Sequence, residues 1–226
     1  PDIILTMAPP LPIALVGALC AWLKRVPYVL NLQDIYPKSA VEMGLLRNGA
    51  VIWAMERASR LLYRFAREIV VPMEGNVRYL CDEVGLSRSR IRLLHNWVDV
   101  SHRRPGDRDN DFRRELGFSD EMVVSYAGLL GFAQDFSTVI ECARVLTSKS
   151  DISFVLIGDG VLASRWKHEA ADLDNLCFLP PVTEDRYYDA LRASDVCLVT
   201  LSADYRAPAI PGKIQCIMSV ARPILA

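Results

Sequence analysis

The residues best placed for chemistry in this chain are glycines, one aspartate and two cations, each following an apolar run. Gly128 and Gly131 stand between the apolar stretch Met122–Ala127 and a segment from Gln134 onward. In that segment Phe136, Val139, Ile140, Ala143 and Leu146 recur every three or four residues. A glycine turn from strand into helix exposes backbone N–H groups and the positive end of a helix dipole, which suits a phosphate. The same spacing also fits a tight turn that holds nothing. Asp34, directly after the run Tyr28–Leu32, can face a cleft or simply cap a turn. Gly158, Asp159 and Gly160 allow close approach of backbone to a planar ligand, or again only a turn. In "FLPPV", Pro180 and Pro181 hold an extended backbone beside Val182, where neighbouring polar groups can pair with a base edge. The stretch "LSADYRAPAIPGK" carries Arg206, Gly212 and Lys213. Lys213 opens a predicted helix, where a cation is unfavourable and a bound anion would relieve the misfit. Glycine amides, a helix start and two cations on one sheet edge suit a diphosphate better than a neutral ligand.

These residues need elements to hold them. Apolar runs at 2–6, 28–32, 68–71, 91–94, 122–127, 153–157, 176–179, 195–200 and 223–225 read as strands. Helical periodicity separates most of them, near 12–24, 49–66, 74–84, 134–148, 161–172, 184–193 and 212–220. Strands that are apolar continuously and alternate with helices predict parallel sheets covered on both faces, an α/β doubly wound class. Ligands of such sheets bind beyond the carboxyl ends of strands, where the residues above lie. The charged stretch "SHRRPGDRDNDFRREL" at 101–116 interrupts the alternation and predicts a linker. It divides the chain into domains 1–105 and 106–226. Both are expected to be incomplete, because the chain opens on the strand-like "PDIILT" without methionine and stops on the strand-like "RPILA".

Composition narrows the classes. Twenty-six basic against 27 acidic side chains leave a net charge of −1, which argues against the broad basic surface of a nucleic-acid protein. Six scattered cysteines without a C-x-x-C pair read as reduced core residues of a cytoplasmic protein, and three dispersed histidines predict no metal cluster. The apolar stretch 11–23 is shorter than the roughly 20 residues a membrane span needs, and is expected to be a buried helix of an α/β layer. Neither G-x-x-x-x-G-K-[ST] nor the dinucleotide G-x-G-x-x-G occurs.

Several stretches together resemble a known family. "YAGLLGFAQDFSTVIECARVL", "FVLIGDG", "FLPPV", "ASDVCLVTL" and "IPGKIQCIMSVARPILA" follow the carboxy-terminal domain of GT-B glycosyltransferases of family 4 in order and spacing. "LQDIYPKSAVEMGLL" and "LLHNWVDV" resemble segments of the branch that builds bacterial capsule, O-antigen and colanic-acid-type polysaccharides. The resemblance implies two Rossmann-like domains facing across a cleft and a retaining transfer of sugar from a nucleotide-diphosphate sugar. No metal and no cofactor would be needed. Donor-binding residues would be Gly128, Leu129, Gly131, Gln134, Gly158, Asp159, Gly160, Pro181, Val182, Arg206, Gly212 and Lys213. Lys213 would offset charge on the leaving diphosphate, and Asp34 would act from the first domain as a base or acceptor-orienting acid. The acceptor implied is a polyprenyl-diphosphate-linked saccharide, reached by peripheral contact with the inner face of the cytoplasmic membrane.

Two departures from the family pattern stand out. The arginine and lysine that many members carry in the first turn of this domain are absent from "GLLGFAQD". The family's paired glutamates fall near Pro208 and Cys216, and neither is acidic. A further stretch bears on the membrane. Arg57, Arg60, Arg64 and Arg67 recur among Trp53, Leu61, Leu62, Tyr63 and Phe65, as on an amphipathic helix lying on anionic lipid, or on an ordinary solvated helix face. A nucleotide-sugar 2-epimerase and a non-enzymatic two-lobed nucleotide-binding module remain as alternatives to a transferase.

Overall fold

A computed structural model of the chain describes residues 1–149 and 151–226. Two compact units emerge: Pro1–Asn96 with Asp204–Ile210, and Trp97–Ala203 with Pro211–Ala226.

The first unit contains β1 (Ile4–Ala8), α1 (Leu11–Lys24), β2 (Tyr28–Leu32), α2 (Lys38–Glu42), α3 (Gly49–Phe65), β3 (Glu68–Val71), α4 (Glu74–Arg78) and β4 (Ile91–Leu93). Its four strands pair in parallel in the order β1-β2-β3-β4. One face is a packed core in which Tyr28, Leu30, Leu32, Ile69, Val71 and Ile91 lie together. The opposite face departs from the expectation of burial on both sides. Strand residues alternate in direction, and Leu5 on β1 is 63% exposed. Helix α1 likewise is not buried all round. Its small residues Ala14, Gly17 and Ala21 face the sheet, and a Cβ on Gly17 would lie 2.2 Å from Thr6 Cγ2. That close approach turns the large residues Val16, Leu19, Trp22 and Leu23 outward. Among the described residues no helix is long and apolar enough to cross a membrane.

Helix α3 starts where the Asn48 side chain accepts the amides of Ala50 and Val51. It buries Ser59, Leu62 and Tyr63 and stops at Phe65, where Ala66 takes an extended conformation. Arg67, expected on the same helix stripe as Arg57, Arg60 and Arg64, therefore lies beyond the helix, its amide donating to the Tyr28 carbonyl.

The second unit contains α5 (Asp111–Glu115), β5 (Met122–Ala127), α6 (Ser137–Val145), β6 (Ile152–Ile157), α7 (Ala163–Glu169), β7 (Leu176–Leu179), α8 (Glu184–Ala193), β8 (Val196–Leu198), α9 (Lys213–Ser219) and β9 (Ile224–Leu225). Its five strands are parallel in the order β7-β6-β5-β8-β9. Here both faces are covered. Val124, Tyr126, Phe154 and Leu156 join one core, while Val123, Ala127, Val155 and Ile157 join another. The order reverses beside β5, and a reversal of this kind opens a crevice at the carboxyl ends of the strands.

Residues 97–105, expected with the first domain, pack in the second unit. Val98 lies against the cluster of Tyr188 and Leu191, Arg103 pairs with Glu184, and Arg192 donates to the carbonyls of His102 and Arg104. The charged stretch that reads as a linker is instead bonded into the unit. Arg113, 1% exposed, donates to the carbonyls of Ser119, Glu121 and Ala193 and pairs with Asp195, which Arg108 also holds. All six cysteines are free thiols; only Cys197 is buried and Cys142 is exposed, so they are not uniformly core residues.

Candidate functional site

At the carboxyl ends of β5, β6 and β7 lies a hollow of 310 Å³, lined by Ala127, Gly128, Leu129, Ile157, Gly158, Asp159, Pro181, Val182 and Tyr187. Six of these, Gly128, Leu129, Gly158, Asp159, Pro181 and Val182, are residues that sequence reasoning assigns to a donor. Its lining is mostly apolar and includes one ring, as a flat heteroaromatic ligand requires.

The turns that form the hollow are locked to each other through backbone. Gly128 N–H donates to the Ile157 carbonyl at 2.9 Å, and Leu130 N–H donates to the Asp159 carbonyl at 2.9 Å. Gly128 and Gly158 both have positive φ, of 149° and 140°. A Cβ on Gly160 would stand 2.4 Å from the Leu130 carbonyl oxygen. Glycine is thus required at 158 and 160 because backbone meets backbone there.

This packing changes the expected anion cradle. The Gly131 amide is also engaged, donating to Gln134 Oε1 at 3.2 Å. Helix α6 begins at Ser137 and not near Gln134, and its first amides donate to the Asp135 carboxylate, Ser137 at 3.0 Å and Thr138 at 3.4 Å. Hydrogen bonds from the Ser137 and Thr138 hydroxyls outweigh partial burial and hold that carboxyl below its usual range. The positive end of α6 therefore already faces an anion belonging to the chain. The pattern D-x-S just before an apolar helix is a capping signal, and it could have been read.

Positive charge beside the turn comes from Lys213, the first residue of α9. Its Nζ would lie 2.8 Å from a Cβ on Gly128, and it sits 3.4 Å from the centroid of the Tyr126 ring. Burial lowers its ammonium pKa from 10.5 to about 7, since a charge taken out of water is disfavoured. Gly212, before it, is exposed with open space around its Cα. Tyr126 and Tyr187, unnoticed in the sequence, join the site because β5 and α8 point them there.

Arg206 is placed differently from expectation. It belongs to the first unit, where its amide donates to Glu42 Oε2 at 2.9 Å beside the Ala207 amide, which bonds the same oxygen. It does not line the hollow. Pro208 also belongs to the first unit, against Gly75. Cys216, by contrast, packs in the cluster that contains Tyr187.

Asp34 follows β2 in the first unit and is half-buried, and burial raises its carboxyl pKa above the usual range. The loop that carries Arg206 brings Tyr205 near it: burial, then the charges of Asp34 and Glu42, raise the phenol. Asn76, fully buried on α4, reaches the Gln33 carbonyl at 3.5 Å. On α3, Arg57, Arg60 and Arg64 are exposed alongside Trp53, Leu61 and Phe65. Arg57 lies 5.7 Å over the Trp53 ring. Among the described residues, no group of three His, Cys, Asp or Glu side chains could hold a metal ion.

Residues 1–97 match the model of a glycosyl transferase 4-like domain. The "probable glycosyltransferase WbjE" of Pseudomonas aeruginosa is 24% identical over 232 residues, a match that covers 100% of this chain and 57% of that protein. Among solved structures, HepE from Anabaena in complex with UDP and glucose superposes with a TM-score of 0.77 at 18% identity, over 98% of this chain and 58% of its own. A UDP-N-acetylglucosamine 2-epimerase superposes with a TM-score of 0.60 at 13% identity, over 99% of this chain and 54% of its own. The chain thus spans less than three fifths of the length of these relatives. Its two parallel-sheet units have the GT-B fold. An epimerase shares that fold, so the reaction has to be read from the site.

Proposed function

We propose that this chain carries the donor site of a retaining glycosyltransferase that moves a sugar from a nucleotide-diphosphate sugar to a lipid-linked saccharide. The observation that carries this reading is the Lys213 ammonium beside the rim residue Gly128 of an apolar, base-sized hollow. An apolar hollow next to a cation suits a nucleoside diphosphate, and HepE, of like fold, is a UDP complex.

In this reading the base enters between Pro181, Val182 and Tyr187, and the diphosphate lies along Gly128 toward Lys213. The acceptor hydroxyl oxygen bonds to the anomeric carbon, and the bond from that carbon to the diphosphate breaks. Both electrons leave with the nucleoside diphosphate. Lys213 offsets the charge that develops on it, with no metal ion taking part. Asp34 orients the acceptor or takes the hydroxyl proton, a role that its raised pKa favours. The arginines and exposed aromatics of α3 provide a peripheral contact with the anionic inner face of the cytoplasmic membrane. A further hollow, lined by Trp22, Leu23, Arg25 and Phe65, extends that surface onto α1.

Thermal unfolding with a nucleotide panel tests the donor site. A nucleoside diphosphate, UDP first, should raise the midpoint at concentrations where the nucleoside and monophosphate do not. Equal shifts from all three, or no shift from any nucleoside diphosphate, would overturn the assignment.

A further inference from the structure

We infer that Tyr126 is the positioning residue for Lys213, its ring face seating the ammonium beside the Gly128 turn for exchange onto a diphosphate. The inference rests on the reading of this turn as the donor site, and it adds a residue that touches neither base nor sugar.

The ring is fixed from every side. Tyr126 is 1% exposed, and its ring meets Phe136 edge-on at 4.8 Å, with Phe136 in turn 6.0 Å from Trp166. Its hydroxyl donates to the Leu129 carbonyl at 2.8 Å, within the turn that lines the hollow. Burial raises the phenol pKa, so the hydroxyl keeps the proton this bond needs. Lys213 Nζ stands 3.4 Å from the ring centroid, where the negative face of the π system attracts a cation. Burial is the one influence that shifts the Lys213 ammonium, and no neighbouring carboxylate charge among the described residues acts on it.

The absence of a carboxylate has a physical consequence. A carboxylate would hold the ammonium more tightly than a ring does, and an incoming diphosphate would have to break that pair. A ring face holds the ammonium in place yet competes weakly with phosphate oxygens. Gly128 leaves the path open, since a side chain there would collide with Nζ. The turn itself offers no cation, and three of its amides are engaged within the chain. How Lys213 is seated therefore decides how much positive charge the site presents.

The experiment measures Lys213 directly. An amine-acylating reagent is applied across a series from about pH 5 to about pH 10, and Lys213 labelling is quantified by peptide mass spectrometry. Wild type, Tyr126→Phe and Tyr126→Leu are compared without nucleotide and then with UDP, after circular dichroism shows each to be folded. Phenylalanine keeps the ring, so its midpoint should match wild type. Leucine is as apolar but has no negative face, so the ammonium loses attraction without gaining water. Its midpoint should fall by on the order of one pH unit, and protection by UDP should weaken about tenfold. Should Tyr126→Leu fail to fold, Tyr126→Met makes the same comparison. A leucine or methionine variant that titrates as wild type overturns the inference, as does a phenylalanine variant that shifts equally far. A ring-dependent midpoint with no UDP protection in any variant supports the seat and removes the donor reading instead.

Discussion

The carbonyl oxygen of Gly128 lies 1.9 Å from where a Cβ on Gly158 would stand. Two strand-end turns are joined at that point with no room for a methyl group, and the φ of 140° at Gly158 also disfavours any side chain. Gly158→Ala should cost about 3 kcal/mol in denaturant unfolding and abolish UDP binding, because the turns must separate. Gly131→Ala is the contrast. Its Cβ would meet side chains and no backbone, Leu129 at 3.2 Å and Gln134 Oε1 at 3.4 Å, so stability should change by no more than about 0.5 kcal/mol. Equal costs for both would show that the turns are not locked as described.

Lys213 should make stability depend on pH in a defined direction. Its folded pKa of about 7 lies below the ordinary lysine value of 10.5, so between those values the unfolded chain binds more protons. Stability contributed by this site therefore rises with pH across that window. Lys213→Met removes the penalty of a buried charge. It should raise the melting temperature most at pH 7 and below, with the gain fading as pH approaches the ordinary lysine value. A gain independent of pH would assign the effect to packing.

Asp34→Asn is nearly isosteric. UDP binding should be unchanged, while sugar transfer should fall about a hundredfold. The reaction rate of the wild type should rise as pH passes upward through a carboxyl pKa above the ordinary range, since burial raises it and the ionised form is the one that accepts a proton. A variant that transfers at the wild-type rate would reduce Asp34 to a turn residue.

Reversing Arg57 and Arg64 to glutamate should release the protein from anionic vesicles, at a cost of about 1 kcal/mol per arginine lost. UDP binding should persist, since the hollow proposed to hold it belongs to the other unit. Arg67→Glu should have a smaller effect, because that residue lies beyond the end of α3. Added salt should weaken the wild-type association in the same assay. Vesicle binding that ignores both salt and substitution would make this an ordinary solvated helix face.

Much of the architecture was legible because it rests on local pattern. Continuous apolar runs marked strands at Tyr28–Leu32, Glu68–Val71, Met122–Ala127 and Leu176–Leu179, and the structure has strands at those residues. The strand-end glycines and Pro181–Val182 could be singled out because parallel sheets concentrate ligand-binding residues in such loops. Their convergence on one hollow follows from the register of β5, β6 and β7.

What tertiary structure decided were the partners. Nothing local distinguishes an amide free for phosphate from one already bonded, and the amides of Gly128 and Leu130 are taken by carbonyls about thirty residues away. Arg206 and Lys213 look equivalent along the chain, seven residues apart, yet one joins the first unit through Glu42 and the other sits on Tyr126. Helix α1 is apolar all round in sequence, and only packing at Gly17 chose which side faces the sheet. By itself, the sequence determined where strands and turns fall, because propensity and periodicity act over a few residues. Which charges and amides remain available to a ligand was decided only by contacts between distant segments, where burial and hydrogen-bond competition are settled.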